Sequence, residues 1–352
     1  MKLYDLLDKD ILIEMIDKEY VNVIKHPQFP LYIYNYSRKC QFEHVWNEVT
    51  ETCRGLIVDE DLNIIARPFK KFYNYEELLQ MNVQIPNEEF EVYEKLDGSL
   101  GILYFWENKA YIATRGSFTS SMALHATAIL NTKYDVSLLD KSKTYLFEII
   151  YPEDLHIVTY KDVDDIFLLA IIDNETGIDC DISKWNNVFK CTTKYDGFSD
   201  YTKIREAFSG ENREGFVIKF KSGFRMKLKF AEYWKLHFLK SGFTEKQILQ
   251  YLIDDDKESI QKSLDMFDEE HQIYYNKIID KFKEAYNSIL DKARTQYREF
   301  DTDKEAAVYF NTCNYPHIMF YIRKGKDVRE AIWNLVKRNR KYLDDTREDE
   351  NS

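Results

Sequence analysis

Residues 94–105 read EKLDGSLGILYF. A lysine, an aspartate and a helix-disfavouring glycine stand in front of an apolar alternation, which places the charged residues at the mouth of a β-strand. Two readings of Lys95 follow. One is a charged hairpin turn. The other is a nucleophile, which needs surroundings that strip the ammonium of its proton, because a lysine in water is protonated. Alone, K-x-D-G is a weak signal that recurs by chance, so the rest of the chain has to decide.

Outward from this stretch, alternating or short apolar blocks recur. LYIYNY (31–36), GLIVDE (55–60), FEVYEK (90–95), LGILYF (100–105), AYIATR (110–115), YLFEII (145–150), IFLLAII (166–172), EGFVIKF (214–220) and FRMKLK (224–229) read as strands. The last two flank Lys221, Ser222 and Gly223 as a hairpin. Helical patches occupy 119–131 and the first twenty residues. After residue 240 the period changes. Thr244 with Gln247 looks like a capping box. Ile278, Ile279, Phe282, Tyr286, Ile289, Ala293 and Tyr297 recur every three or four residues, and Val328, Ile332, Leu335 and Val336 repeat the pattern. The expectation is a mixed α+β domain over 1–240, an all-helical domain over 241–345 and a disordered acidic tail over 346–352.

At 352 residues the chain is long enough for two domains. Lys and Arg number 49 against 61 Asp and Glu, a net charge of −12 that argues against nonspecific coating of nucleic acid. The basic residues are segregated, however. Arg213 to Lys240 holds eight Lys/Arg against two Glu, and Arg323 to Lys341 holds eight against two acids, so local basic grooves remain open. No apolar run approaches 18 residues, which predicts no membrane span. The N-terminal MKLYDLLDKD carries acids where a signal peptide has an apolar core. Five scattered cysteines without a CxxC pair indicate neither a disulfide framework nor a zinc site, and fit a reducing cytoplasm.

The surroundings that Lys95 needs are present further along. Glu148 interrupts the apolar YLFEIIYP, Glu214 opens EGFVIKF, and Lys227 and Lys229 share one strand face. Each has a plain reading alone, as a strand-edge acid or a solvated lysine. Their joint order does not: K-x-D-G-S, a strand Glu, E-G-φ-V-φ-K, then K-x-K. That order resembles the nucleotidyltransferase motifs of covalent ligases and mRNA capping enzymes. ETCRGLIVDEDLNIIARPFKKFYN (51–74), TRGS (114–117) and NREGFVIKFKSGFRMKLKFAEYWKLH (212–237) sharpen the resemblance to ATP-dependent RNA ligases of the bacteriophage tRNA-repair class. The match runs in order from about residue 30 to 240. One departure is PEDLHIVTY (152–160), where that family has P-x-N-R-I-V, so that His156 stands in the place of an arginine.

The resemblance implies a nucleotidyltransferase domain of ATP-grasp-like antiparallel sheets with helices, then a helical C-terminal domain that would serve RNA specificity. It implies an RNA ligase joining 3′-OH and 5′-phosphate ends through a covalent lysyl-AMP and an RNA-adenylate. Lys95 would be the nucleophile, with Lys227, Lys229 and Arg54 sharing the catalytic work. Lys71, Tyr73, Glu94, Asp97, Gly98, Arg115, Glu148, Glu214 and Gly215 would bind ATP. Glu148 and Glu214 would also face Mg²⁺ (or Mn²⁺), directly or through water. The implied partner is RNA, tRNA or single-stranded; the sequence shows no separate kinase or phosphatase motif, which leaves open a separate end-healing kinase or phosphatase that prepares the ends. The implied state is a monomer in the cytoplasm, the host's if the chain is viral, with no membrane contact.

Rival readings remain. A DNA ligase or an mRNA guanylyltransferase shares the lysyl-nucleotide chemistry, but both call for an OB-like strand series after residue 240. A non-enzymatic nucleic-acid-binding protein leaves Glu148 and Glu214 without a role. Asp254, Asp255 and Asp256 read either as a metal-proximal cluster or as a plain loop, and the basic end from Arg323 reads either as an RNA grip or as a solvated helix face.

Overall fold

The computed structural model describes residues 1–152, 158–231, 233, 243–265 and 269–338. His156, most of the stretch after Phe230, the end of the basic run and the acidic tail lie outside these residues. The chain divides into two compact units, Met1–Lys240 and Ser241–Ser352.

The first unit is α+β and, among the described residues, holds three sheets. One is an antiparallel meander of β1 (Val21–Lys25), β2 (Leu31–Tyr36), β3 (Arg54–Asp59) and β4 (Ile64–Ala66). Downstream, β5 (Tyr73–Asn74) and β6 (Phe90–Lys95) belong to one further sheet. A second takes β7 (Ser99–Trp106), β8 (Lys109–Ala113), β9 (Lys143–Ile150), β10 (Asp165–Asp173), β11 (Asp179–Cys180) and β12 (Lys190–Cys191). The chain then returns to the β5–β6 sheet with β13 (Lys194–Tyr195), β14 (Gly215–Phe220) and β15 (Arg225–Lys229). The orders are β11–β10–β9–β7–β8, with β12 beside β10, and β13–β6–β14–β15–β5.

The β7–β12 sheet is covered on both faces. Leu103, Ile112, Phe147 and Ile149 pack on Ala126, Ile129 and Leu130 of the helix Ser121–Lys133. Ile102, Tyr104, Leu146 and Ala170 pack on Leu31, Ile33 and Ile57 of the meander. A strand buried on both sides reads as a continuous apolar run, which is why β9 and β10 do not alternate and why Glu148 is conspicuous within β9.

The β5–β6 sheet is two-sided. Register pairs Val92 with Ile218 with Met226, and Phe216 with Leu228, on a face that joins an aromatic-rich core. The opposite face carries Tyr93, Val217 and Lys227 in one row and Lys95, Gly215 and Lys229 in the next. Alternation with a period of two therefore segregates every basic side chain of β6 and β15 from the core.

β8 stops at Ala113, two residues before the expected end, because Thr114 bridges to Ser117 and leaves Arg115 and Gly116 at the tip of a tight turn. β1 and β4 escape the pattern reading: β1 buries only Val21, and β4 has three residues.

The second unit is helical among its described residues, with Glu245–Asp254, Lys257–Asp265, Glu269–Gln296, Asp303–Phe310, Pro316–Arg323 and Arg329–Arg338. Thr244 caps the first through Gln247 N–H. Ile278, Ile279, Phe282, Ile289 and Ala293 are buried, as their spacing predicts. The acidic run is used at helix ends: Asp255 closes one helix in a left-handed conformation, and Asp256 accepts from Ser259 N–H at the start of the next. Arg323 pairs with Asp303, and Arg329 donates to the Leu252 carbonyl, so part of the basic run is structural. Lys324, Lys326, Lys337 and Arg338 stay exposed. Among the described residues no helix is long and apolar enough to cross a membrane.

Candidate active site

Strand register sets Lys95, Gly215 and Lys229 side by side. The central position has to be glycine: a Cβ there would lie 2.2 Å from the Leu228 carbonyl oxygen and 2.7 Å from Lys229 Cα, at φ +154°. Its predecessor Glu214 is 2% exposed and bridges the two lysines, with Oε2 2.8 Å from Lys95 Nζ and Oε1 2.8 Å from Lys229 Nζ. Approach angles at Glu214 Oε2 and Lys229 Nζ fall outside hydrogen-bond geometry, so the attraction there is Coulombic rather than directional. The Lys229 side chain is 2% exposed and that of Lys95 is 20% exposed. Lys95 opens into a cleft of about 310 Å³ that is also lined by Glu94, Val158, Tyr160, Glu211, Asn212, Arg213 and Glu214.

The turn after Lys95 is built against β9. A Cβ on Gly98 would stand 2.5 Å from the Ile149 carbonyl oxygen and 2.9 Å from Glu148 Cγ, so glycine is what lets the turn touch this strand. Glu148 accepts the Gly98 N–H. Burial pushes the Glu148 carboxyl from an ordinary 4.5 up to about 8; the Lys95 charge pulls it down, and Glu214 and Asp97 push it further up. Asp97 accepts from Val158 N–H at 2.8 Å and from the Tyr233 hydroxyl at 2.9 Å, while its own N–H donates to the Tyr160 hydroxyl at 2.6 Å. Both carboxylate oxygens of Asp97 are thus engaged in holding the turn. The Glu94 backbone is fixed by Thr192 and Thr193.

Arg54, Lys71, Tyr73, Arg115 and Lys227 form a second, aromatic-walled constellation. Lys227 Nζ is 5.1 Å from the Phe72 ring centroid, and the Arg54 guanidinium is 5.9 Å from the same ring. Lys71 Nζ is caged by Trp46 at 4.4 Å, Tyr73 at 4.7 Å and Tyr36 at 5.9 Å. Tyr73 donates to Glu51 at 2.6 Å, and Arg115 donates to the Tyr36 hydroxyl. Gly55, at φ +88°, brings β3 against the Arg115 backbone: a Cβ there would be 3.1 Å from Arg115 Cα. Lys227 and Lys229 share one face of β15, which makes this strand common to both constellations.

Sequence reasoning missed Tyr36, Trp46, Phe72, Tyr160 and Tyr233. All but Trp46 lie within the strand and motif stretches named above, and the placing of aromatics between basic residues is the signal that marks Phe72. Trp46 lies in the irregular stretch between two short helices and has no local signal.

Among the described residues no group of three or more acidic, histidine or cysteine side chains is arranged to hold a metal. Both Glu214 oxygens face lysines. Glu148, whose carboxyl burial pushes up and the Lys95 charge pulls down, is the acid left to face a divalent cation approached through water.

Residues 52–235, just over half of the chain, match the model of a family described as RNA ligase. The "Putative bifunctional polynucleotide kinase/RNA ligase" of Autographa californica nuclear polyhedrosis virus is 26% identical over 255 residues, which cover 63% of this chain and 36% of that protein. The "RNA ligase" of Rhodothermus phage RM378 is 24% identical, over 48% of this chain and 47% of that one. The chain therefore spans less than half the length of these curated relatives. An archaeal ATP-dependent RNA ligase of known structure superposes at TM-score 0.45 and 12% identity, over 88% of this chain and 76% of that one. On the breadth of the 52–235 match, the chain belongs to the RNA ligase family.

Proposed function

We propose that the chain is an ATP-dependent RNA ligase that seals 3′-OH and 5′-phosphate ends through Lys95. The observation that carries this reading is the Lys95–Glu214–Lys229 bridge, in which a candidate nucleophile is aligned with a buried ammonium across one glycine.

The chemistry is three in-line displacements at phosphorus. Lys95, partly open to the cleft, gives its proton up to solvent, with Glu214 Oε2 2.8 Å from Nζ in the resting site. Nζ then attacks the α-phosphorus of ATP, a P–N bond forms and pyrophosphate leaves. Next, a 5′-phosphate oxygen of RNA attacks the same phosphorus, the P–N bond breaks and Nζ regains a proton. Last, the 3′-OH attacks the activated 5′-phosphate, AMP leaves and a 3′–5′ phosphodiester remains. Lys229 and Lys227 offset charge developing on phosphorus, with Arg54, Lys71 and Arg115 taking outer phosphates. Tyr73 and the Glu94 backbone border the nucleotide, and Asp97, Gly98 and Gly215 let the backbone approach it. A divalent cation, Mg²⁺ or Mn²⁺, held through water by Glu148 would neutralise phosphate charge. The unit Met1–Lys240 carries this adenylyl transfer, and the exposed Lys324, Lys326, Lys337 and Arg338 give the helical unit a basic surface for RNA.

The test is incubation with ATP or GTP labelled at the α-phosphate, with Mg²⁺, beside Lys95→Ala, followed by denaturing electrophoresis. Label from ATP that the variant lacks supports the reading. Label from GTP makes the protein a capping-type enzyme. No label from either, before or after pyrophosphate treatment to strip a prebound adenylate, refutes it.

A further inference from the structure

The Lys95 cleft holds a second cation to which the proposed mechanism gives no role. Arg213 lines the cleft immediately before Glu214. Its guanidinium lies 5.5 Å from the Phe208 ring centroid and 6.0 Å from that of Tyr195, and Nη1 donates to the Tyr195 hydroxyl at 3.1 Å. That bond uses one of the five donors that an arginine carries. Among the described residues no carboxylate stands within ion-pair distance of it, whereas Lys95 and Lys229 both face Glu214.

The arginine is also held still. Its neighbour Asn212 takes a left-handed φ of +54°, accepts from Thr159 N–H at 2.6 Å and donates to the Thr159 carbonyl at 3.1 Å. Two rings, a hydroxyl and this reciprocal amide pair leave the fork little freedom, so little ordering entropy is lost when it binds. Glu94 and Glu211 line the same cleft, which disfavours a bare polyanion. A phosphate seated there needs a fixed, charge-assisted donor against these carboxylates, and Arg213 is such a donor.

We propose that Arg213 is a phosphate-binding residue that grips a phosphate group presented to Lys95. The proposal rests on the ligase reading for its purpose, but not for its test. The phosphate belongs either to ATP or to the 5′ end of RNA; both offer the oxyanion pair that a guanidinium takes in bidentate fashion.

Calorimetric titration of the wild-type chain, Arg213→Gln and Arg213→Lys needs no turnover. The probes are Mg-ATP, pyrophosphate, and one oligoribonucleotide with a 5′-phosphate or a 5′-hydroxyl. The expected result is binding of the phosphate-bearing probe at least about tenfold weaker in Arg213→Gln, with partial recovery in Arg213→Lys. Weakening confined to ATP and pyrophosphate assigns the contact to the nucleotide. Weakening confined to 5′-phosphorylated RNA assigns it to the RNA end. Unchanged affinity for every probe overturns the proposal. So does equal weakening for the 5′-hydroxyl RNA, or a fall in melting temperature shared by both variants with general loss of binding, since either makes Arg213 structural. Adenylate labelling of Lys95 in the wild type is read separately. Phosphate binding through Arg213 without label sinks the ligase reading and leaves the site.

Discussion

Removing the charge of Glu214 while keeping its shape is the sharpest test of the buried bridge. In Glu214→Gln two ammonium groups lose their shared counter-ion. Lys95, at 20% side-chain exposure, can draw water from the cleft, whereas Lys229, at 2%, cannot. The cost is therefore essentially that of one buried charge deprived of its Glu214 counter-ion. Breaking a buried pair typically costs 3–5 kcal/mol, and the partial escape of Lys95 puts the expectation at about 3 kcal/mol. For a unit of this size each kcal/mol moves the melting point by about 2–4 °C, so Glu214→Gln should melt about 6–12 °C lower. Urea unfolding followed by tryptophan fluorescence reads the same loss as a lower midpoint at unchanged slope. The double variant Glu214→Gln with Lys229→Met carries the decisive information. Removing both buried charges leaves no buried ammonium deprived of its Glu214 counter-ion, so the double variant should be more stable than Glu214→Gln alone. A Glu214→Gln protein within about 1 kcal/mol of wild type, or a double variant that merely adds the two single losses, would refute a Coulombic bridge.

Three further outcomes follow from the site. The Glu148 carboxyl titrates near 8 when folded and near its ordinary 4.5 when unfolded; the folded state holds the proton between these values, so this group's stabilising contribution is complete below about 4.5 and is lost as pH rises to about 8. Thermal melts should show that decline, Glu148→Gln should flatten it, and Mg-ATP should raise the melting point more at pH 8.5 than at pH 6.5. Trp46→Ala removes one wall of the Lys71 cage and should weaken ATP binding by roughly five- to thirtyfold, with Trp46→Phe retaining most of it, as a cation–π contact of about 1–2 kcal/mol requires; equal losses in both variants would count against the cage. Gly98→Ala drives a methyl group into the Ile149 carbonyl and should cost about 1–3 kcal/mol and abolish adenylate labelling, whereas Gly116→Ala, with nothing within 4 Å, should do neither.

Legibility in the sequence followed length scale. Lys95, Glu214 and Lys229 could be listed from motif order, and parity alone placed Lys227 with Lys229. Parity could not reveal that Gly215 stands between Lys95 and Lys229, because this depends on which strands pair: β14 lies between β6 and β15, and β6 precedes it by over a hundred residues. Trp46 was invisible for a related reason. It reaches Lys71 and Tyr36 from an irregular segment whose conformation is set by tertiary packing, and no periodicity records that. The doubly covered β9 and β10 were legible as strands because burial on both faces leaves continuous apolar runs, while β1 and β4 carry too few buried residues to register. Asp254–Asp256 looked like a charge cluster, and the structure spends these residues on helix ends, a use that composition cannot distinguish.

The Glu214 bridge bears on how such a protein survives among cellular electrophiles. On the proposed mechanism Lys95 rests 2.8 Å from a carboxylate, and an ammonium there has no lone pair to offer an electrophile. Aldehydes, acyl phosphates and other adventitious carbonyls react with free amines, so a nucleophile left neutral at rest would be consumed between turnovers. On that mechanism the proposed nucleophile would stay chemically silent until a substrate draws it from its partner. Nζ bonded to phosphorus would carry no charge, and Glu214 would then face one ammonium fewer. One buried acid would thus act as a latch with two positions, loaded and unloaded, with the charge balance of the sheet recording which of them the site is in.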